Sequence, residues 1–232
     1  MADKNKSGYE EEQALVIRGE DPAATADNIA ARHKIGSFEL KAQPDQLITD
    51  TYINTVNRDL KGSSMRIREV NDDTTLITIK GKNLNAGTGK PACRSELEVE
   101  WPWEEVSPWD VANLFGMEAI QERTTLRRIR NVYKSKKLVA EMAIDEVAYN
   151  FGEDNKVRFF EVEVENLRND KWSDVTSIID ALKKEYPELR KWNNSKLSTG
   201  SLLRVALGIE VDDEGVVTDK SFDNLQTLFA LI

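Results

Sequence analysis

The stretch Phe160-Glu161-Val162-Glu163-Val164-Glu165 alternates strictly between apolar and acidic residues. Successive side chains of a β-strand point to opposite faces of the sheet, so the three glutamates share one face and the apolar residues share the other. Side chains two residues apart on a strand lie only about 7 Å apart, and like charges at that separation are unfavourable without a counter-ion. This stretch therefore predicts a strand whose acidic face lies against cations.

Charged residues alternate with apolar ones in four further strand-like runs. The charged residues that share a face are Glu10 with Glu12, Arg66 with Arg68, Arg94 with Glu96, Glu98 and Glu100, and Arg128 with Arg130. A solvated sheet face would explain any one of these strands alone. A closed barrel explains them together, because helices can cover its apolar outer face while the charged faces line a water-filled interior. Such an interior offers carboxylates to a hard divalent metal and basic groups to phosphate oxygens, as a metal-complexed polyphosphate requires.

The rest of the chain fits a single α+β domain with the strands as its body. Period-2 runs cover 9–18, 48–54, 64–70, 74–80, 94–101, 125–133, 138–147 and 157–165, and helical patterns cover 23–34, 109–115, 173–186, 198–207 and 222–231. We assign all of 1–232 to this domain, with a core at about 9–205. Residues 206–232 form a C-terminal extension, either a packed helix or a partner-binding segment.

Composition excludes several classes of protein. Forty per cent of the 232 residues are hydrophobic, so the chain is not disordered. Its formal net charge of −9 makes it a poor candidate for sequence-independent binding of nucleic acid, and we expect no sequence-specific nucleic-acid partner. Cys93 and His33 are the only residues of their types, which excludes an internal disulfide and a Cys/His zinc site. The sequence shows no signal peptide and no membrane span, so we expect a cytoplasmic protein.

Taken in order along the chain, the charged elements resemble the CYTH domain, or triphosphate tunnel metalloenzyme, superfamily of thiamine-triphosphatase-like proteins. The segments that carry the resemblance are Glu10-Glu11-Glu12, Asp50-Thr51-Tyr52-Ile53-Asn54, Arg66-Ile67-Arg68, Lys80-Gly81, Arg94-Ser95-Glu96-Leu97-Glu98, Arg128-Ile129-Arg130-Asn131-Val132-Tyr133, Ile144-Asp145-Glu146-Val147, Glu161-Val162-Glu163-Val164-Glu165 and Ser195-Lys196. One position departs from the pattern, because Ala14 stands where the first strand of the family has a lysine.

The resemblance implies an eight-stranded antiparallel β-barrel tunnel with flanking helices. It also implies a hydrolase that uses Mg²⁺ or Mn²⁺ to release terminal phosphate from a triphosphate, which could be inorganic tripolyphosphate, thiamine triphosphate, a nucleoside triphosphate or an RNA 5′ end. Two alternatives remain open. One is a class IV-like adenylate cyclase, and the other is a non-catalytic tunnel that binds polyphosphate or another anion.

On this resemblance we assign roles to the charged residues. The expected phosphate-binding residues are Arg66, Arg68, Lys80, Arg94, Arg128, Arg130 and Lys196. The expected metal ligands are Glu10, Glu12, Glu96, Glu98, Glu161, Glu163 and Glu165. The expected catalytic residues are Glu10, Glu12, Arg130, Asp145 and Lys196. Ala14 removes one phosphate contact, and Arg18 on the same strand face is a candidate to replace it.

Overall fold

The computed structural model describes residues 6–55, 57, 59–60, 62–85, 92–151, 156–167 and 172–206. Most of the predicted core lies within these ranges. The helix predicted at 222–231 lies outside them, so the assignment of 206–232 as an extension stays a prediction. None of the helices described is long and apolar enough to cross a membrane.

The described residues form eleven strands, eight of which close into an antiparallel barrel, as predicted. The strands are β1 Lys6–Ile17, β2 Lys34–Ile35, β3 Phe38–Ala42, β4 Gln46–Thr55, β5 Ser64–Val70, β6 Thr74–Lys80, β7 Ala92–Glu100, β8 Met117–Lys134, β9 Lys137–Asn150, β10 Lys156–Asn166 and β11 Leu189–Trp192. Around the barrel the order is β8, β4, β5, β6, β7, β1, β10 and β9, and pairing of β9 with β8 closes the ring. Alternate residues of every barrel strand therefore face one enclosed interior.

Four helices flank the barrel. They are α1 Pro22–Ala30, α2 Pro108–Leu114, α3 Trp172–Glu185 and α4 Lys196–Ala206. The first two begin at side chains that cap their N-termini. Asp21 Oδ1 accepts a hydrogen bond from the Ala24 amide at 2.9 Å, and Ser107 Oγ accepts one from the Trp109 amide at 3.1 Å, each with a proline in the first turn.

The main hydrophobic core lies outside the barrel, between its wall and the helices. Ile29 of α1 and Ile178 and Leu182 of α3 are fully buried against Ile144 of β9 and Val162 of β10. Burial of each such side chain contributes about 1.5–3 kcal/mol, so the charged interior is supported by apolar packing behind it. On another part of the wall, α2 covers a smaller apolar cluster.

Apolar side chains also occupy one end of the barrel interior, where α4 lies. Val147, Tyr149 and Phe159 pack there with Leu203 of α4. The Tyr149 hydroxyl donates to the Lys196 carbonyl at 3.0 Å, so the start of α4 is fixed against the barrel. This contact places the side chain of Lys196 at the charged interior.

At the opposite end, β8 and β9 continue beyond the barrel. One edge of β8 pairs with β4 inside the barrel, and beyond the end of β4 the same edge pairs with β3. Leu40 and Val132 bury one face of this three-stranded extension in the main core, and Lys134 Nζ contacts Asp174 Oδ1 of α3 at 2.6 Å. The extension is therefore held from behind by the helices.

The sequence missed three short strands and part of a long one. The predictions did not include β2, β3 and β11, which have five residues or fewer and little alternation. The strand predicted at 125–133 begins at Met117, because its first half continues the pairing with β4. This difference added a site residue, Arg123, that the sequence analysis did not consider.

Candidate functional site

The barrel encloses a charged cavity of about 1090 Å³. It brings together eleven of the residues expected at the site. They are Glu10, Glu12, Arg66, Arg68, Lys80, Arg94, Glu96, Glu98, Glu163, Glu165 and Lys196. Asp145 and Glu161 lie just behind this surface, fully or almost fully buried, and both contact Lys196.

Three arginines surround one carboxylate on β4, β5 and β8. The Asp50 carboxylate accepts from Arg68 Nε at 2.7 Å and from Arg123 Nη2 at 2.7 Å, and Arg66 Nε lies 3.4 Å from it. The Tyr52 hydroxyl accepts from Arg66 and Arg123 at 3.3 and 2.9 Å. We call these five residues the arginine wall, and with three cations and one anion its formal charge is +2.

Burial and charge act in opposite directions on the acidic groups of the arginine wall. Burial alone would raise the pKa of the Asp50 carboxyl, but Arg66, Arg68 and Arg123 together hold that pKa well below its usual value. The pKa of Tyr52 is also lowered, because the neighbouring guanidinium groups of Arg123 and Arg66 outweigh the effect of burial. Asp50 therefore remains ionised, and the three arginines keep their positions around it.

A second cluster on β8, β9, β10 and α4 has the opposite balance. Lys196 Nζ contacts Glu161, lies 2.5 Å from Glu163 Oε1 and lies 3.0 Å from Asp145 Oδ2. Arg127 Nη2 bridges Asp145 and Glu163 at 2.6 and 2.7 Å. Cross-strand pairing of Asp145 with Glu161 and with Arg127 brings these side chains together. We call the five residues the carboxylate wall, and its formal charge is −1.

The carboxyl groups of the carboxylate wall differ in their pKa values. Burial raises the pKa of Glu161 to about 7, with Glu163 and Asp145 adding to the rise and Lys196 opposing it. Burial also acts to raise the pKa of Glu163, but contacts with Lys196 and Arg127 hold it far below the usual value. At neutral pH one carboxyl of the wall is thus close to its midpoint while another stays ionised.

Between the two walls, cations of β6 and β7 pair with glutamates. Lys80 Nζ lies 2.5 Å from Glu10 Oε2 and 3.3 Å from Glu96 Oε1, and Arg94 Nη1 lies 3.0 Å from Glu12 Oε1. Burial and the nearby Glu10 raise the pKa of Glu12 to about 7. Glu12 is therefore a group that can take up a proton near neutral pH.

The position of Ala14 brings it close to the carboxylate wall. Ala14 pairs with Glu163 across β1 and β10, and Glu163 is one of the carboxylates that Lys196 contacts. The ammonium group of Lys196 on α4 thus already lies beside Glu163, the residue that pairs with Ala14. Arg18, the suggested replacement, is not among the residues that line the cavity in the described part of the chain.

Two expected site residues lie outside the cavity, so their prediction needs correction. Arg128 pairs with Asp27 on α1, and Arg130 Nε and Nη2 donate to the Ala30 carbonyl at 2.8 and 2.5 Å. Both residues lie at those alternate positions of β8 whose side chains point away from the barrel interior. Their cations hold the C-terminal half of α1 to the barrel, a placement that also suits the helix dipole.

Arg123 and Arg127 occupy the inner positions of β8 instead. Arg123 and Arg127 have odd numbers and face inward, whereas Arg128 has an even number and faces outward. The sequence contains arginines at both kinds of position, so alternation alone does not tell which of them face the cavity. The sequence carried no signal for Arg127, because its pairing with Asp145 depends on a bulge in the β8–β9 hairpin. Asp50 and Tyr52 had been recognised only as part of a motif, without a role in the site.

The described carboxylates suit a hard divalent cation. Oxygen atoms of Asp145, Glu161 and Glu163 lie within 4.8 Å of one another, and carboxylate oxygens are the donors that Mg²⁺ and Mn²⁺ prefer. Lys196 and Arg127 already contact these oxygens, so a metal ion would share or replace their charge. Glu12 and Glu165, which pair across β1 and β10, extend the acidic surface towards β1.

Comparison with known protein families gives one match, to the CYTH domain, over residues 15–200. No curated protein matches the chain significantly. The fold agrees with that of solved structures of low sequence identity.

Three solved structures illustrate this likeness. The putative adenylyl cyclase HpAC1 from Hippeastrum, described as having a dominant triphosphatase activity, is 14% identical with a TM-score of 0.56, covering 91% of this chain and 98% of that one. The PH1819 protein from Pyrococcus horikoshii is 20% identical with a TM-score of 0.51, covering 81% and 97%. A chain of the Schizosaccharomyces pombe Mediator head module is 10% identical with a TM-score of 0.54, covering 76% and 96%. At these identities the likeness establishes the fold.

Proposed function

Because the chain belongs to the CYTH domain family, we propose that its tunnel is a divalent-metal-dependent triphosphatase. The proposed reaction releases terminal phosphate from inorganic tripolyphosphate, thiamine triphosphate or a nucleoside triphosphate. The Hippeastrum protein, a putative adenylyl cyclase in which triphosphatase activity dominates, supports hydrolysis over cyclisation.

The arginine wall is the observation that carries this proposal. Arg123 is fully buried and lines the cavity, yet its Nε and Nη1 atoms have no hydrogen-bond partner among the described residues. Buried charges are costly unless they are paired, so the surplus charge of +2 on the wall is expected to attract an anion to the arginines that line the cavity. Phosphate oxygens fit guanidinium groups in both charge and geometry.

We assign phosphate binding to the cations that face the cavity. They are Arg66, Arg68, Arg123, Lys80, Arg94, Arg127 and Lys196. Most of these side chains are held by carboxylates, so their positions are fixed before substrate enters. Preorganised charge of this kind is the main contribution that a protein makes to phosphoryl transfer.

We assign metal binding to the acidic residues on the other side of the cavity. They are chiefly Glu10, Glu12, Glu161, Glu163 and Glu165, with Glu96 and Glu98 beside them. When bound, Mg²⁺ or Mn²⁺ would neutralise part of the phosphate charge and activate the attacking water. Asp145 and Glu161 orient Lys196 towards the substrate.

A panel of triphosphates tests the proposal. Tripolyphosphate, thiamine triphosphate and ATP are each incubated with the protein and Mg²⁺ or Mn²⁺, and free phosphate, pyrophosphate and cyclic nucleotide are measured. Release of free phosphate that a chelator abolishes is the expected result. Pyrophosphate with cyclic AMP would instead identify a cyclase, and tight tripolyphosphate binding without turnover would identify an anion-binding protein.

A further inference from the structure

The extension formed by β3, β8 and β9 presents an open polar face beside the cavity. Ile129 of β8 lines the cavity, and the next residues of the same parity, Asn131 and Tyr133, continue that inner face outside the barrel. A strand rises about 3.3 Å per residue, so Tyr133 lies about 13 Å along β8 from Ile129. The extension thus begins where the charged cavity ends.

We call the face formed by Lys41, Asn131 and Tyr133 the shelf. Lys41 pairs with Asn131 across β3 and β8, and Lys41 Nζ lies 4.5 Å from the centroid of the Tyr133 ring. On the other side of β8, Asn131 pairs with Glu141, which itself lines the cavity. The shelf and the cavity therefore share β8 and β9 without a break in the sheet.

The shelf is both accessible and firmly supported. Lys41 is exposed, and Asn131 and Tyr133 are partly exposed, whereas Leu40 and Val132 on the opposite face are buried in the main core. An accessible aromatic ring on a strand that is packed from behind is a suitable surface for stacking, because little side-chain freedom is lost on binding.

We propose that the shelf binds the planar organic group of a triphosphate whose phosphates lie in the tunnel, an inference that rests on the proposed function. The ring of Tyr133 offers a stacking surface, the Asn131 amide offers a donor and an acceptor, and the Lys41 ammonium offers a charge for the phosphate next to the organic group. The cavity also reaches the α4 end of the barrel, where Ser198, Ser201 and Leu202 line it, so the test includes a variant at that end.

Two kinds of triphosphate share the required chemistry. A nucleoside triphosphate carries a neutral planar base, and thiamine triphosphate carries planar rings with a positive charge. Both place a heteroaromatic group a short linker away from the phosphate chain. Inorganic tripolyphosphate has no such group, so it serves as an internal control for the phosphate site alone.

The test compares the Michaelis parameters of three substrates in four proteins. The substrates are tripolyphosphate, ATP and thiamine triphosphate, each with Mg²⁺. The proteins are the native chain, Tyr133→Ala, Tyr133→Phe and Leu202→Ala, in which Leu202 is an exposed residue that lines the cavity on the α4 side. Loss of one stacking contact should raise the KM of an organic triphosphate about tenfold.

We expect Tyr133→Ala to raise the KM of at least one organic triphosphate and to leave tripolyphosphate unchanged, with Tyr133→Phe restoring the native value. The substrate affected distinguishes the neutral base from the cationic ring. If tripolyphosphate is hydrolysed but Tyr133→Ala changes no organic substrate selectively, or Leu202→Ala is the variant that does so, the shelf proposal is wrong. If none of the three substrates is bound or hydrolysed by the native chain, the proposed function itself fails.

Discussion

The arginine wall and the carboxylate wall face the same cavity, yet they control charge in different ways. In the arginine wall one ionised carboxylate, that of Asp50, forms ion pairs with three guanidinium groups. In the carboxylate wall two cations form ion pairs with three carboxyl groups. One of these, Glu161, has a pKa raised to about 7. The first wall keeps its charge across the physiological pH range, whereas the charge of the second changes with pH.

This difference indicates what each wall requires from its ligands. Surplus positive charge on arginines whose positions Asp50 fixes makes the arginine wall ready for phosphate oxygens. Surplus negative charge in the carboxylate wall is reduced either by protonation or by a cation. Triphosphate and metal should therefore bind cooperatively. The triphosphate brings negative charge to the arginine wall, and the metal ion brings positive charge to the carboxylate wall.

The largest effect is expected from removal of the single carboxylate of the arginine wall. Asp50→Asn leaves three guanidinium groups without their shared counter-ion in a buried site. Removing one partner of a buried ion pair costs about 3–5 kcal/mol, so the free energy of unfolding should fall by that amount in urea titrations.

Asp27→Asn is the matched control, because Asp27 also pairs with an arginine of β8 but is 71% exposed. An exposed pair contributes about 0–1 kcal/mol, so this variant should unfold almost like the native protein. Equal losses for the two variants would show that Asp50 is no more important than a surface partner.

A smaller effect is expected in activity when an arginine of the cavity is replaced. Arg66→Met should lower kcat/KM for tripolyphosphate about 100-fold, because a preorganised donor to the phosphate oxygens is lost. Arg128→Met should leave kcat/KM unchanged, since that side chain contacts α1 outside the barrel. Loss of activity in Arg128→Met with a native unfolding curve would contradict the inner and outer faces assigned to β8.

The sequence predicted most of the barrel and most of the charged residues that line the cavity. Period-2 alternation was enough for β5, β7 and β10, because the central residues of each carry charges on one face and apolar side chains on the other. The same rule placed Glu10, Arg66 and Glu163 in the cavity correctly. Local alternation works for these strands because it shows which side chains share a face without any knowledge of the partner strand.

The error on β8 has a specific physical cause. The register of the β8–β9 hairpin shifts between Val132 and Tyr133, where β9 has one additional residue. Without that bulge Asp145 would face Leu126, and Arg128 and Arg130 would share its side of the sheet; with it, Asp145 faces Arg127. Sequence periodicity does not reveal a single bulge, and one such shift exchanges the inner and outer residues of a strand.

The pH dependence of stability gives a smaller effect that separates the two walls. Glu12 and Glu161 have pKa values raised from 4.5 to about 7, so between these values the folded protein keeps protons that the unfolded chain has released. Stability of the metal-free protein should therefore fall as the pH rises from about 4.5 to about 7, by about 2 kcal/mol for each group.

Chemical denaturation at a series of pH values measures this slope. Glu161→Gln should remove about half of the slope, because Glu12 still titrates, whereas Glu69→Gln, at an exposed position of β5, should keep the native slope. Added Mg²⁺ should stabilise the native protein more at pH 8 than at pH 5, because protons compete with the metal for the carboxylates. A stability that rises steadily from pH 4.5 to 7 would contradict the raised pKa values.

The smallest effect concerns Ala14 and depends on Lys196. An ammonium group on β1 would add a phosphate contact worth about tenfold in affinity if the space beside Glu163 held no other cation. Lys196 Nζ already lies 2.5 Å from that carboxylate, so Ala14→Lys alone should change the Kd for tripolyphosphate by less than about threefold, since two ammonium groups repel each other. Lys196→Gln should weaken binding, and adding Ala14→Lys to it should recover part of the loss, giving a coupling energy between the two sites. Calorimetric titration of tripolyphosphate into the native protein and these three variants measures the cycle. A full tenfold gain from Ala14→Lys in the native background, with no recovery in the Lys196→Gln background, would show that the two positions serve separate phosphate contacts.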